Sequence, residues 1–215
     1  MRVEEQIVVV KERSIPYTHI QNNARKVCFM FSGAAYTYNK PLLYYSTMIA
    51  LENHFDVVHI HYSYTEEELS QPLEQFVELI VGDVKPVVTE VLTKNKYEET
   101  IFIGKSLGTI PIIQEFLKDN DFATSKMVLL TPLLKRQQLF DSLPRSKGDI
   151  FIAIGTQDPH YIPEKIEALR NIPSIYLQEL EGANHSLDIE GFDTRESLSF
   201  LYSTMESLNH FLREG

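Results

Sequence analysis

Three short stretches carry residue types that could do chemistry together. Gly104-Lys105-Ser106-Leu107-Gly108 follows the apolar run Ile101-Phe102-Ile103 and precedes the apolar segment Thr109 to Leu117. Gly155-Thr156-Gln157-Asp158-Pro159-His160 follows Ile150 to Ile154, and Glu181-Gly182-Ala183-Asn184-His185-Ser186-Leu187-Asp188 follows Ile175 to Leu180. The first stretch is G-x-S-x-G in the context that gives the motif meaning, a strand in front and a helix behind. A serine there sits in a strained backbone conformation on a sharp turn, and glycines two residues to either side let strand and helix approach closely. The Leu107 N–H, at the helix start, faces any oxyanion formed beside Ser106. A hydroxyl, a carboxyl and an imidazole on separate loops are the groups that nucleophilic acyl transfer uses.

Those loops need a frame that brings them to one place. Val27 to Phe31, Val57 to Ile60, Ile101 to Ile103, Met127 to Leu130, Ile150 to Ile154 and Ile175 to Leu177 are near-continuous apolar runs, the pattern of strands covered on both faces. Candidate helices fall between them, at 41–53, 66–94, 108–118, 163–170 and 194–213. Strands alternating with helices imply right-handed crossovers and a mainly parallel sheet, an α/β fold with helices on both faces. Ile7 to Val10 and Ile15 to Ile20, separated by Lys11-Glu12-Arg13-Ser14, add an N-terminal antiparallel hairpin at the sheet edge, where Pro16 is tolerated. Neither a repeat nor a long linker divides the chain, so 1–215 is expected to be a single domain. In an open parallel sheet ligands bind at the loops leaving the carboxyl ends of the strands. Ser106, Asp158 and His185 are then expected on one edge of one sheet.

Each of these residues has a plainer alternative. Gly104-Lys105-Ser106 also ends a phosphate-binding P-loop, but that motif needs a glycine at position 99, which is Glu99. His160 competes with His185, yet it lies two residues from Asp158 on the same loop, where tethering makes it an awkward partner. Asp188 competes with Asp158 but is three residues from His185, on the same local turn. Asp158 itself could be only a turn residue before Pro159. His59 and His61 share a strand face and could bind a metal, but no carboxylate or thiolate accompanies them, so a structural or pocket-lining role is favoured. Cys28, inside an apolar run, reads as a buried small hydrophobe.

With those residues in view, the sequence resembles the α/β-hydrolase superfamily, and within it the small lidless hydrolases related to dienelactone hydrolase. The resemblance covers nearly the whole chain. It implies that Ser106 is the nucleophile, His185 the general base and then acid, and Asp158 the residue that holds the imidazole in its working tautomer. In some members the acid follows the sixth strand, where this chain has Leu130-Thr131-Pro132 and no carboxylate. The family's second oxyanion N–H comes from the loop after its third strand, usually through His-Gly-x. Here the loop reads Ser32-Gly33-Ala34, with serine for histidine, which carries the role to Ala34 and leaves Gly33 and Ala35 as alternatives. Tyr36 and Tyr161 are candidate substrate-binding residues because they flank the predicted loops. The resemblance implies no metal or organic cofactor. It implies a small-molecule acyl substrate, an ester or thioester cleaved through an acyl-enzyme. The competing readings are an idle binding or accessory protein on the same fold, and a small peptidase or amidase.

The composition fits. The 215 residues include 20 Lys+Arg against 30 Asp+Glu, a net charge of −10 that opposes nucleic-acid binding. The single cysteine cannot form an intrachain disulfide and suits a reducing compartment, and the N-terminal Met1-Arg2-Val3-Glu4-Glu5 lacks the basic start of a signal peptide. No apolar run approaches the ~18 residues of a membrane span. A cytoplasmic location is expected, and oligomeric state is not legible. Residues 132–148, where larger relatives insert a cap, have room only for a loop and a short helix, so no cap domain is expected.

Overall fold

The apolar runs become the strands of one sheet. In the computed structural model, which describes residues 1–191 and 193–213, they are β1 (Arg2–Val10), β2 (Arg13–Gln21), β3 (Lys26–Phe31), β4 (Phe55–Ile60), β5 (Glu99–Lys105), β6 (Lys126–Leu130), β7 (Ile150–Gly155) and β8 (Ile175–Leu180). Their order across the sheet is β1-β2-β4-β3-β5-β6-β7-β8. Pairing is parallel from β4 to β8, and antiparallel between β1 and β2 and between β2 and β4. All described strands thus belong to one sheet, while residues 192, 214 and 215 of the expected 1–215 domain lie outside the described residues.

Side chains alternate between two apolar layers. Val27, Phe29 and Phe31 of β3 join Phe102, with α3 (Leu73–Lys94) and α6 (Pro163–Arg170) above them contributing Phe76, Ile80, Ile166 and Leu169. Cys28 and Met30 face the other way, against Leu42 and Leu43 of α1 (Pro41–Glu52) and Leu208 and Phe211 of α7 (Thr194–Arg213). Both faces being covered explains why the central strands have no polar alternation. Each such side chain taken fully from water contributes about 1.5–3 kcal/mol.

Three expectations are corrected. The helix expected at 66–94 is two helices, α2 (Glu66–Leu69) and α3. The break falls at Pro72, which is non-helical and caps the start of α3, and a proline disfavours the helical region for the residue before it, although α3 tolerates Pro86 in its interior. Thr65 and Glu68 close a capping box over α2. The helix expected from 108 begins at Ser106, as a tight 3-10 turn (Ser106–Gly108), then α4 (Thr109–Pro111), then a wide turn (Ile112–Phe116) closed by the Leu117 N–H on the Ile112 carbonyl at 2.8 Å. The hairpin strands are longer than the apolar pattern: Arg13 and Ser14 pair with Val10 and Val9. On a ribbon with one open face, polar residues can extend a strand. Pro16 lies one residue beyond the last β2–β4 pair, Tyr17 opposite Ile60, and its carbonyl accepts the His61 N–H at 2.8 Å where no return donor is needed.

The segment between β6 and β7 forms only α5 (Gln137–Phe140) and a tight turn (Leu143–Arg145), and Leu134, Leu139 and Leu143 are buried in the core. It folds onto the sheet, so no cap domain is present among the described residues. There too, no helix is long and apolar enough to cross a membrane.

Gly82, on the exposed side of α3, would meet nothing within 4 Å if it carried a Cβ. Gly82→Ala is therefore expected to stabilise the fold by about 0.5–1 kcal/mol, because glycine loses more backbone freedom in a helix. Thermal unfolding checks this, with an expected Tm rise of about 1–4 °C.

Candidate active site

β5 ends in a turn that only a strained residue can make. Ser106 has a φ of 53°, in the left-handed region that L residues rarely occupy. The flanking glycines permit the crossing: a Cβ on Gly104 would lie 2.4 Å from the Gly108 carbonyl oxygen, and one on Gly108 would lie 2.2 Å from the Phe31 oxygen. The serine is thereby lifted off the sheet edge while β3 and β5 stay in register, with Phe31 opposite Gly104.

Two loops from strands further along the sheet reach this serine. Ser106 Oγ lies 2.8 Å from His185 Nε2, and His185 Nδ1 lies 2.7 Å from Asp158 Oδ2. The other carboxylate oxygen, Oδ1, accepts the His160 backbone N–H at 2.8 Å. The Asp158 side chain is 0% exposed and that of His185 32%, so the carboxylate is dry while the imidazole can be reached from solvent. His160, the rival histidine, sits with its ring centroid 5.4 Å from that of His185, and burial lowers its pKa from the ordinary value. It serves Asp158 through its backbone rather than its ring. Asp188 closes the loop around His185: its N–H donates to Asn184 Oδ1 at 3.2 Å and its carbonyl accepts the Asn184 N–H at 2.8 Å.

The turn after β3 lies against the elbow. Gly33 and Tyr36 exchange backbone hydrogen bonds at 3.1 and 3.3 Å, so the Gly33 N–H is already used. Ala34 and Ala35 form the tip of this turn, and among the described residues neither N–H has a hydrogen-bond acceptor. The Leu107 N–H belongs to the first turn of a helix, where no intrahelical acceptor exists.

Tyr36 lines a groove of about 800 Å³ that lies between the turn after β3, the loop after β8, α1 and α7, with Pro41, Leu42, Leu187, Leu198 and Leu201 on its walls; Ser106 and His185 are not in its lining, though Asn184 and Ser186 are. Tyr161 is placed elsewhere: its hydroxyl donates to Glu179 Oε2 at 2.6 Å, which pushes its pKa up to about 12, and it does not line the groove. His59 is stacked on Tyr38, centroids 4.1 Å apart, and lies 2.9 Å from Thr47 Oγ1; burial pulls its pKa down to about 3. His61 instead contacts Thr18 Oγ1 at 2.7 Å. His61 lies just past β4, and although both rings pack on Tyr38, each imidazole has its own hydroxyl partner.

Sequence reasoning passed over Lys105 and Thr131. Lys105 is 2% exposed, and its Nζ donates to Thr131 Oγ1 at 3.0 Å and to the His185 carbonyl at 2.9 Å. The available signal was a charged residue directly after the buried run Ile101 to Gly104, at the carboxyl end of β5.

No family model matches the chain, and no curated protein matches it by sequence. Solved structures do match by shape. An esterase from Pyrococcus furiosus aligns with a TM-score of 0.73 at 14% identity over 99% of this chain and 92% of its own. A dienelactone hydrolase from Anabaena variabilis gives 0.69 at 17% identity over 99% of each chain. An α/β serine hydrolase without lid from Xanthomonas campestris gives 0.70 at 9% identity over 99% of this chain and 96% of its own. Strand order, the strained elbow and these whole-length likenesses agree: the chain has the α/β-hydrolase fold in its lidless form.

Proposed function

We propose that the protein is a serine hydrolase that cleaves a small-molecule ester or thioester through an acyl-enzyme on Ser106. The observation that carries this reading is the continuous chain of contacts from Ser106 Oγ through the imidazole of His185 to the dry carboxylate of Asp158. In this reading His185 Nε2 takes the serine proton as Oγ attacks the carbonyl carbon. The negative charge that develops on the carbonyl oxygen is met by the N–H groups of Leu107 and Ala34. The imidazolium then returns its proton to the departing alkoxide or thiolate, and water, deprotonated by the same imidazole, releases the acid from Ser106. Asp158 holds Nδ1–H toward itself and keeps Nε2 free to accept. In this reading the groove beside Tyr36, which reaches the site through Asn184 and Ser186 and does not include Ser106 in its lining, gives the apolar part of the substrate a surface. The similar solved structures include an esterase and a dienelactone hydrolase, which agrees with carbonyl-ester chemistry.

Labelling with a fluorophosphonate probe tests this. The expected result is one covalent adduct on the wild-type protein, located on Ser106 by peptide mass, and none on Ser106→Ala. An unlabelled wild type, or an adduct that survives in Ser106→Ala, would overturn the reading.

A further inference from the structure

The x of a G-x-S-x-G turn is usually of little interest, but here it is a buried cation that touches three of the loops around the serine. Lys105 Nζ bonds Thr131 Oγ1 at 3.0 Å, at the end of β6, and the backbone oxygen of His185 at 2.9 Å, in the loop after β8. It lies 4.8 Å from the centroid of the Tyr36 ring, in the turn after β3. The stem runs along that same turn, since a Cβ on Gly33 would stand 3.3 Å from Lys105 Cδ. An ammonium has three N–H donors: two have oxygen acceptors, and the aromatic face, with its negative quadrupole, lies on the remaining side. We propose that Lys105 is a positioning residue of the site: it ties the backbone of His185 to the elbow and to β6, holding the imidazole at bonding distance from Ser106.

The proposal rests on the hydrolase reading above and adds to it how the base is held. Ser106 and His185 belong to segments joined within this site by two links, Oγ to Nε2 and Lys105 to the His185 carbonyl. The first bond is broken and remade in every turnover. The second is not part of the chemistry, so it can keep the loop in register while the imidazole takes and returns the proton. A bond to a charged donor is about twice as strong as a neutral one, which suits that task.

The same cation makes the tie sensitive to pH. The groups facing it are the carboxylates of Asp158 and Asp188, which favour its charge, the Tyr36 phenol, whose own pKa burial raises, and the backbone of His185. Burial outweighs the carboxylates and draws the ammonium down from 10.5 to about 8. Above that pH the amine keeps N–H donors but loses the charge that strengthens them. The sign for stability runs the other way. Between about pH 8 and 10.5 the unfolded chain binds more protons at this residue than the native one, so the contribution of Lys105 to stability rises with pH.

The test compares wild type, Lys105→Met and Thr131→Val for fluorophosphonate inactivation and for p-nitrophenyl acetate hydrolysis from pH 6 to 10, with Tm at each pH. Lys105→Met is expected to lower kcat ~10–100-fold with little change in KM, as for a base displaced by a fraction of an ångström to an ångström. Thr131→Val should lose a few-fold. Wild-type kcat should fall on a limb centred near pH 8 that Lys105→Met lacks, while the Tm advantage of wild type over Lys105→Met does not shrink across that limb. Wild-type protein that labels normally, together with Lys105→Met that labels as fast, overturns the Lys105 role and leaves the hydrolase reading standing. Wild-type protein that does not label overturns both. If Lys105→Met does not fold, a flat wild-type profile from pH 7 to 10 with Thr131→Val at wild-type rate overturns it equally.

Discussion

Asp158→Asn should lower kcat by ~10⁴-fold while leaving the fold and KM nearly unchanged, the scale seen when a triad carboxylate becomes an amide in serine proteases. The reason lies in the two oxygens of Asp158. Oδ1 accepts the His160 N–H at 2.8 Å and Oδ2 faces His185 Nδ1 at 2.7 Å. An asparagine has one oxygen to offer. If that oxygen stays with the His160 N–H, the amide NH₂ faces Nδ1 and forces it to be an acceptor, so the ring proton moves to Nε2 and points at Ser106. If the amide flips, its NH₂ meets the His160 N–H donor to donor in a dry pocket, which costs about 1–3 kcal/mol. The imidazole therefore holds the wrong tautomer or the loop shifts, and both stop proton transfer from the serine. Steady-state ester hydrolysis with circular dichroism as a folding control measures this. A rate within tenfold of wild type would remove Asp158 from the proposed machinery.

Gly108→Ala should be one of the two most damaging single methyls among the described glycines, with Gly155→Ala, whose Cβ would meet the Ala183 carbonyl oxygen at 2.0 Å. A Cβ on Gly108 would stand 2.2 Å from the Phe31 oxygen, 2.6 Å from the Phe31 carbonyl carbon and 2.8 Å from the Ser32 oxygen. All three are backbone atoms at the end of β3, so no side chain can swing aside. Relief requires the helix and β3 to part by about an ångström, at a cost of about 3 kcal/mol or more and a Tm drop of about 6–12 °C. The displacement also moves the turn carrying Ala34 away from Leu107, opening the gap between the two proposed oxyanion donors. Scanning calorimetry and ester turnover below the new Tm read the two effects separately. The same glycine-to-alanine change at Gly82 carries the opposite sign, which shows that the contact, not the residue type, sets the outcome. A Gly108→Ala protein that melts within 2 °C of wild type would contradict the close approach.

The central strands were legible because their burial is double-sided: a run such as Val27 to Phe31 has no polar residue to confuse the reading, and the structure divides it between two cores. The elbow was legible for a related reason, since the contacts of Gly104 and Gly108 exclude every other side chain. The ends of elements were less so. The chain from 66 to 94 was hard to divide because it holds two prolines of opposite outcome: the helices part at Pro72, while α3 runs through Pro86. Arg13 and Ser14 were read as loop because a polar residue on an open ribbon looks the same in a turn and in a strand. Lys105 was invisible as a site residue for a different reason. A lysine is normally exposed, and nothing local says that three loops distant in sequence will close over it, bringing two oxygens and an aromatic ring. Tyr36 and Tyr161 had equal standing as neighbours of site loops, and the structure separates them through partners remote in sequence: one turns to the groove and the other to Glu179.

The place of β8 at the far edge of the sheet constrains the order in which this site can come into being. Among the described residues β8 pairs with β7 alone, and the loop that carries His185 hangs from its carboxyl end. During synthesis the elbow emerges long before the base does, and a chain that has assembled the sheet only as far as β7 presents Ser106 with no proton acceptor. Contacts so distant in sequence are the slow ones to form. On the proposed mechanism, partly folded protein is therefore chemically silent, and Ser106 becomes a nucleophile only when the last strand closes the sheet.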